Sequence, residues 1–209
     1  MDLLSGLLDL LLHLDRHLRE LVQAHGAWVY AILFAIVFLE TGVVVTPFLP
    51  GDSLLFVGGA VAAAGGLDAG LLALVLFAAA VAGDSLNYSI GRYVGPRVFR
   101  REDSLLFRQE YVDRTRAFFE RHGGKAIVLA RFVPIIRTYA PFVAGIGAMD
   151  YRRFLTFNVA GAALWVGLLV YAGYFFGNLP FVRDNLTAVI LAIVFLSILP
   201  AIVEYWRAR

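Results

Sequence analysis

Most of the chain consists of long apolar runs that polar residues interrupt at only a few places. Four of these runs approach or reach the about 20 residues that a helix needs to cross the hydrocarbon core of a bilayer. They lie near 27–39, 69–83, 154–177 and 186–203. From the pattern we predict an all-α integral membrane protein with single spanning helices at 69–91, 154–176 and 186–206.

Residues 1–25 follow a different pattern. Leu7, Leu11, Leu14 and Leu18 fall on one helical stripe, while charged side chains such as Arg16 fall on the opposite side. An apolar stripe backed by charges is typical of a helix that lies in the membrane interface. We therefore predict an N-terminal amphipathic helix that anchors or packs and carries no chemistry.

The apolar segment 27–64 is broken in its middle. Glu40 and Asp52 bracket this break, and Pro50 and Gly51 lie inside it. A single spanning helix broken there would leave backbone N–H and C=O groups that lipid cannot satisfy. A helical hairpin that enters and leaves on one side, with its tip buried in protein or water, avoids that cost. We predict a first re-entrant hairpin over 27–64, with Pro50 and Gly51 keeping its tip unwound.

Segment 125–149 has the same character. It places Arg131, Arg137 and Pro134 within an apolar stretch, and "FVP" at 132–134 matches "FLP" at 48–50. We predict a second re-entrant hairpin, in which Pro134 keeps the tip unwound. One span between the two hairpins gives them opposite orientations, which is the inverted-repeat design of many transporters.

Composition narrows the class further. Hydrophobic residues make up 60% of the 209 residues and charged residues only 16%, which is too apolar for an ordinary soluble domain. The connection 92–124 is rich in arginine, so the positive-inside rule predicts that it and the C-terminus are cytoplasmic. Interleaved acids in that connection argue against a nucleic-acid partner. The sequence has no cysteine, no glycine-rich phosphate loop and no metal-ligand spacing, and we predict no cofactor and no metal.

Charges at bilayer depth are expensive and usually face a partner or a water-filled cavity. The first hairpin supplies the acids Glu40 and Asp52, and the second supplies Arg131 and Arg137. They could be salt bridges that only hold the fold together, or a site for an anion and a proton. Arginine presents a planar fork of donors that suits phosphate, and a buried carboxylate can carry a proton.

A polar stripe follows in the first predicted span. Asp84, Asn87, Tyr88 and Gly91 recur at helical spacing and share one face, which we expect to support the charged site. The alternative is a polar helix–helix contact that Gly91 makes close.

Three blocks together carry a resemblance: "FLETGVVVTPFLPGDSLLF", "GDSLNYSIGRYVG" and "RFVPIIRTYAPFVAGIGAM". In this order, and over roughly residues 25–205, the chain resembles the DedA family of bacterial membrane proteins, which is related to the VTT-domain lipid scramblases. The resemblance implies opposed re-entrant hairpins and lipid transport in the bacterial cytoplasmic membrane. The resemblance implies that the transported lipid is undecaprenyl phosphate and that its transport depends on the proton-motive force. It also implies that the acids Glu40 and Asp52 couple protons and that Arg131 and Arg137 bind the substrate.

Other functions stay open at this stage. One is energy-independent scrambling of phospholipids, and another is a structural or assembly factor whose charges are only ion pairs. A lipid phosphatase is disfavoured because no histidine lies in the later spans. The expected partners are an anionic lipid, protons and the surrounding membrane lipids, and homo-oligomer formation is left open.

Overall fold

The computed structural model describes residues 14–43, 51–98 and 123–177, together with a few positions beyond them, namely 179–180, 182, 188–189 and 192. Every regular element in these residues is an α-helix. The seven described helices are α1 (Leu14–His25), α2 (Trp28–Gly42), α3 (Gly51–Ala63), α4 (Ala69–Val98), α5 (Lys125–Ala130), α6 (Pro134–Ile146) and α7 (Tyr151–Phe176). The predictions for Pro50, for most of the connection 92–124 and for nearly all of the span 186–206 lie outside the described residues.

Two of these helices are long and apolar enough to cross a membrane. They are the 26-residue segment Ala69–Val94 of α4 and the 26 residues of α7, each about 39 Å long at 1.5 Å per residue. Helices α2 and α3 are also apolar but have only 15 and 13 residues. The all-helical class and the long apolar helices agree with the predicted membrane protein.

The chain divides into two compact units. The first comprises Met1–Ile36, Phe48–Ala78 and Leu164–Arg209, and the second comprises Val37–Pro47 and Ala79–Ala163. In the first unit α1 packs against α3. Leu18 of α1 is fully buried while Arg16 and Arg19 are exposed, so Leu18 contributes to packing within the protein.

The turn between α3 and α4 is fixed by backbone geometry. Gly65 has a φ of +83°, and the N–H groups of Gly65 and Gly66 donate to the carbonyls of Ala62 and Val61, both at 3.0 Å. This pairing is a Schellman motif, which satisfies carbonyls that the helix end leaves without donors. The side chain of Asp68 then caps the first turn of α4.

The turn between α6 and α7 repeats this construction. The N–H groups of Ala148 and Met149 donate to the carbonyls of Gly145 and Ala144, both at 3.1 Å, and Asp150 caps α7. Ala148 takes the glycine position with a φ of +53°, which costs a non-glycine residue roughly 1–2 kcal/mol. The local structure therefore contains an internal repeat, in which α3 corresponds to α6 and α4 corresponds to α7.

Glycines set the helix packing of the first unit. A Cβ added to Gly59 of α3 would overlap the carbonyl oxygen of Val170, and one added to Gly173 of α7 would overlap that of Phe56. The backbones of α3 and α7 therefore touch, as small residues allow in membrane helices.

The second unit contains the same contact between α6 and α4. A Cβ on Gly145 would overlap the carbonyl oxygen of Tyr88, and one on Gly91 would overlap that of Phe142. "FVGG" at 56–59 and "FVAG" at 142–145 are the matching sequences. The contacts thus align Gly91 of α4 with Gly173 of α7.

This packing predicts that Gly145→Ala separates α6 from α4 and lowers the free energy of unfolding by about 1–3 kcal/mol. Gly167→Ala in α7 is the matched control, because its added Cβ meets nothing within 4 Å. Thermal unfolding of both variants in the same detergent measures the difference. Equal melting temperatures for the two variants would contradict the close contact.

Candidate functional site

The second unit buries four charged side chains of opposite sign. Glu40, Asp84 and Arg131 are each 2% exposed, and Arg137 is 6% exposed. Burying a charge is unfavourable by several kcal/mol unless it is paired and hydrogen-bonded. We call this group the charged cluster.

The first pair in the charged cluster joins α2 to α6. Nη2 of Arg137 donates to Oε1 of Glu40 at 2.7 Å. Glu40 lies in the last turn of α2 and Arg137 in the first turn of α6. The sequence places Arg137 there because Pro134 is accommodated at the start of a helix, and Val133 before it is extended.

The second pair joins the end of α5 to α4 and α7. Nη2 of Arg131 donates to Oδ2 of Asp84 and, at 2.6 Å, to Oδ1 of Asn158. Asn158 is itself held by its Nδ2, which donates to the carbonyl of Val81 at 3.1 Å. Gly161 leaves room for the arginine, because a Cβ there would lie 3.4 Å from Nε of Arg131.

Asn87 fixes the backbone beside the first pair. Its Nδ2 donates to the carbonyl of Thr41 at 3.1 Å and to that of Thr138 at 2.8 Å. These carbonyls belong to the residues that directly follow Glu40 and Arg137. Because both partners are carbonyl acceptors, the side-chain atom that faces them must be the NH₂ nitrogen and not the amide oxygen. Asn87 therefore holds the Glu40–Arg137 pair in register.

A close approach of α2 and α4 accompanies these contacts. A Cβ on Gly42 would lie 3.3 Å from Cα of Gly83. The two glycines lie beside Glu40 and Asp84 in sequence, so the backbones are nearly in contact where the acids sit.

Tyr88 and Gly91 contribute to packing at the other end of the polar stripe. The Tyr88 hydroxyl donates to the carbonyl of Met149 and accepts a hydrogen bond from Nη1 of Arg92 at 3.0 Å. Its ring stacks on Phe154, with 4.5 Å between ring centroids. Gly91 makes the backbone contact described above.

Asp52 belongs to the first unit. Its Oδ1 accepts a hydrogen bond from Nε1 of Trp165 at 2.9 Å. Gly51 begins α3, in which Asp52 is half-buried and Ser53 is fully buried. The structure thus assigns Glu40 and Asp52 to different units, and the acid that it pairs with Arg131 is Asp84, which the sequence suggested only as a supporting residue.

Sequence reasoning missed two side chains. Asn158 is a lone amide within an apolar span, and intramembrane polar residues are rare enough to mark a functional contact. That signal was available. The sequence did not indicate a polar role for Trp165, because a tryptophan in an apolar helix is usually a packing residue. Across residues 14–43, 51–98 and 123–177 no group of three or more His, Cys, Asp or Glu side chains could hold a metal ion.

These observations define a helical membrane protein with paired charges buried between its helices. Residues 49–175 match the VTT domain. Protein DedA of Escherichia coli (strain K12) is 56% identical, with 100% of this chain and 96% of that protein covered. The chain therefore belongs to the DedA family of VTT-domain membrane proteins.

Two further relatives extend the comparison. A membrane protein of Mycobacterium tuberculosis (strain ATCC 25618 / H37Rv) is 46% identical over 89% of this chain and 85% of its own. Inner membrane protein YghB of Escherichia coli (strain K12) is 38% identical over 82% of this chain and 77% of its own. No solved structure gave a significant match.

A double-mutant cycle tests the Glu40–Arg137 pair. Because either single change strands a buried charge, we expect Glu40→Ala and Arg137→Ala each to lower the free energy of unfolding by about 3–5 kcal/mol. The double variant should lose clearly less than the sum of the two. Unfolding in detergent micelles supplies the four values. Strict additivity would show that the two side chains do not interact.

Proposed function

We propose that the protein moves an anionic lipid, undecaprenyl phosphate, between the leaflets of the bacterial cytoplasmic membrane, driven by the proton-motive force. The observation that carries the proposal is the charged cluster, in which two arginines are buried in an apolar helical protein. Membership in the DedA family and the membrane names of the relatives are consistent with this setting.

In this proposal Arg131 and Arg137 bind the phosphate. A guanidinium offers several N–H donors in a fixed plane and stays charged when it is desolvated. The lipid tail remains in the bilayer while only the head group enters the protein. Each arginine already bonds to a carboxylate, whose oxygens have the planar geometry that a phosphate oxygen pair can replace.

Glu40 and Asp52 are the proposed proton-coupling acids. Glu40 is freed when a phosphate takes its place on Arg137, and a buried carboxylate without a cation favours protonation. Asp52 accepts a hydrogen bond from the neutral indole of Trp165 and is the second proposed proton carrier.

Helix lengths support the re-entrant part of the proposal. The 15 residues of α2 span about 22 Å and the 13 residues of α3 about 20 Å, both short of the ~30 Å hydrocarbon core. The 13 residues of α6 are equally short. We propose that α2 with α3, and α5 with α6, form two hairpins that enter and leave the membrane on one side, in opposite orientations.

Transport in proteoliposomes tests the function. We expect wild type to move undecaprenyl phosphate faster under an imposed pH gradient. In Arg131→Ala the transport rate should fall at least about tenfold. In Glu40→Gln the rate should no longer respond to the gradient. Arg152→Ala is the matched control, since Arg152 is exposed on α7. Size-exclusion profiles establish that each variant is folded.

Each alternative outcome has a distinct meaning. Movement that ignores the gradient in wild type would indicate an energy-independent scramblase. No movement by folded wild type would remove undecaprenyl phosphate as the substrate.

A charge swap separates transport from a purely structural role. In Glu40→Arg with Arg137→Glu the attraction between the two positions is kept. We expect the swapped protein to regain stability relative to the single changes but not transport, because the phosphate-binding arginine has moved to α2. Full transport by the swapped protein would favour ion pairs that only hold the fold.

A further inference from the structure

Asp84 has acceptor capacity that the described residues do not use. Its Oδ2 accepts from Arg131, but its Oδ1 is buried and accepts no hydrogen bond from any described residue. An ionised carboxylate has about four lone-pair sites, and buried polar atoms are nearly always hydrogen-bonded. A buried oxygen of this kind is a place where a proton can bind without displacing another donor.

The acceptors that hold Nη2 of Arg131 differ in charge. Its Nη2 donates to Asp84 and also to the neutral amide of Asn158. Asn158 is anchored separately through Val81. If Asp84 released the arginine, Asn158 would still hold the guanidinium in place, so this ion pair can open while the arginine stays in position.

The Glu40–Arg137 pair differs in this respect. Asn87 ties the backbones that follow both of its residues, which keeps their side chains opposite one another. The Asp84–Arg131 pair is therefore the easier of the two to open.

Charge balance then decides what happens to the released carboxylate. The groups that act on Asp84 are Arg131 beyond α5 and Arg137 on α6, and Arg137 is already paired with Glu40 of α2. Two arginines and two acids cancel. A phosphate monoester adds a charge of about −1.5 to −2 near neutral pH. If it takes Arg131, the cluster has more negative than positive charge, and a proton on Asp84 restores part of the balance.

The internal repeat shows that the helix contact does not require an acid here. Aligning Gly91 of α4 with Gly173 of α7 places Val166 at the position of Asp84. Val166 is buried, and α7 makes the same glycine contact without a charge.

We propose that Asp84 is a further proton-carrying residue, which exchanges its ion pair with Arg131 for a proton when the phosphate head group binds. The proton comes from water and binds the carboxylate, while a phosphate oxygen replaces that carboxylate on the guanidinium. Release of the lipid reverses both steps. The inference rests on the proposed function only in taking a lipid phosphate as the ligand.

The experiment measures the affinity of full-length protein in detergent micelles for undecaprenyl phosphate. The pH is varied between roughly 6.5 and 8.5, a range that begins near the second pKa of a phosphate and extends above it. If binding takes up a proton, Kd rises about tenfold for each pH unit. We expect the slope of log Kd against pH to be about one unit lower in Asp84→Asn than in wild type. Protons that the lipid itself binds contribute equally to both and cancel in the comparison.

Four controls define the result. Asp68→Asn makes the same change at the exposed position just before α4, where asparagine also caps the helix, and should keep the wild-type slope. Asp84→Glu retains an acid and should also keep the wild-type slope. Asn158→Leu should weaken binding without changing the slope. Undecaprenol, which has no phosphate, should cause no proton uptake.

The outcomes separate the two proposals. If wild type binds the phosphate lipid and Asp84→Asn keeps the full slope, Asp84 carries no proton and this inference fails while the proposed function stands. If wild type binds no phosphate lipid, the proposed function fails and the inference with it. If Asp84→Asn does not fold, infrared difference spectra of wild type and Asp84→Glu decide, because the carboxylic-acid band that appears on lipid binding must shift between them.

Discussion

Desolvation of four charges is the constraint on which the second unit depends. Glu40, Asp84, Arg131 and Arg137 are buried almost completely, and each would destabilise the fold by several kcal/mol if it were left alone. The fold meets this cost with pairs that join different helices and with amides that hold the pairs in place. Because apolar side chains of similar size would remove the cost altogether, stability by itself gives little reason to keep these charges.

Backbone chemistry explains why Glu40, Arg131 and Arg137 lie at helix ends, whereas Asp84 lies in the middle of α4. Pro134 starts α6 directly after an extended residue, so Arg131 and Arg137 fall on either side of a break between two short helices. Glu40 occupies the last turn of α2 for a related reason, since that helix ends at Gly42. Glycine at 42 and at 83 then lets α2 and α4 approach closely. Helix breaks and missing side chains thus position the polar groups.

Much of this arrangement could be predicted from the sequence, and the rest could not for identifiable reasons. Apolar runs predicted the long helices, and charges within apolar segments indicated the candidate residues. The partner of each charge was not predictable, because Asp52 and Asp84 are equally acidic and only tertiary packing distinguishes them. Pairing Arg131 with Asp84 depends on Asn158, whose role comes from a contact between helices that are distant in sequence. The repeat was visible in "FLP" and "FVP". Which residues of α7 correspond to which residues of α4 could be decided only from the glycine contacts.

The repeat also indicates which residues the scaffold itself requires. Both units use a Schellman turn, an aspartate cap and a pair of glycine contacts, and these features recur because the backbone geometry demands them. The polar stripe does not recur: the positions of Asp84 and Asn87 in α4 correspond to Val166 and Leu169 in α7. The same helix packing therefore forms with apolar side chains at those positions. Helix packing alone therefore does not account for the amide and the acid in α4, whereas pairing with the buried arginines and binding of a charged group at membrane depth are requirements that would.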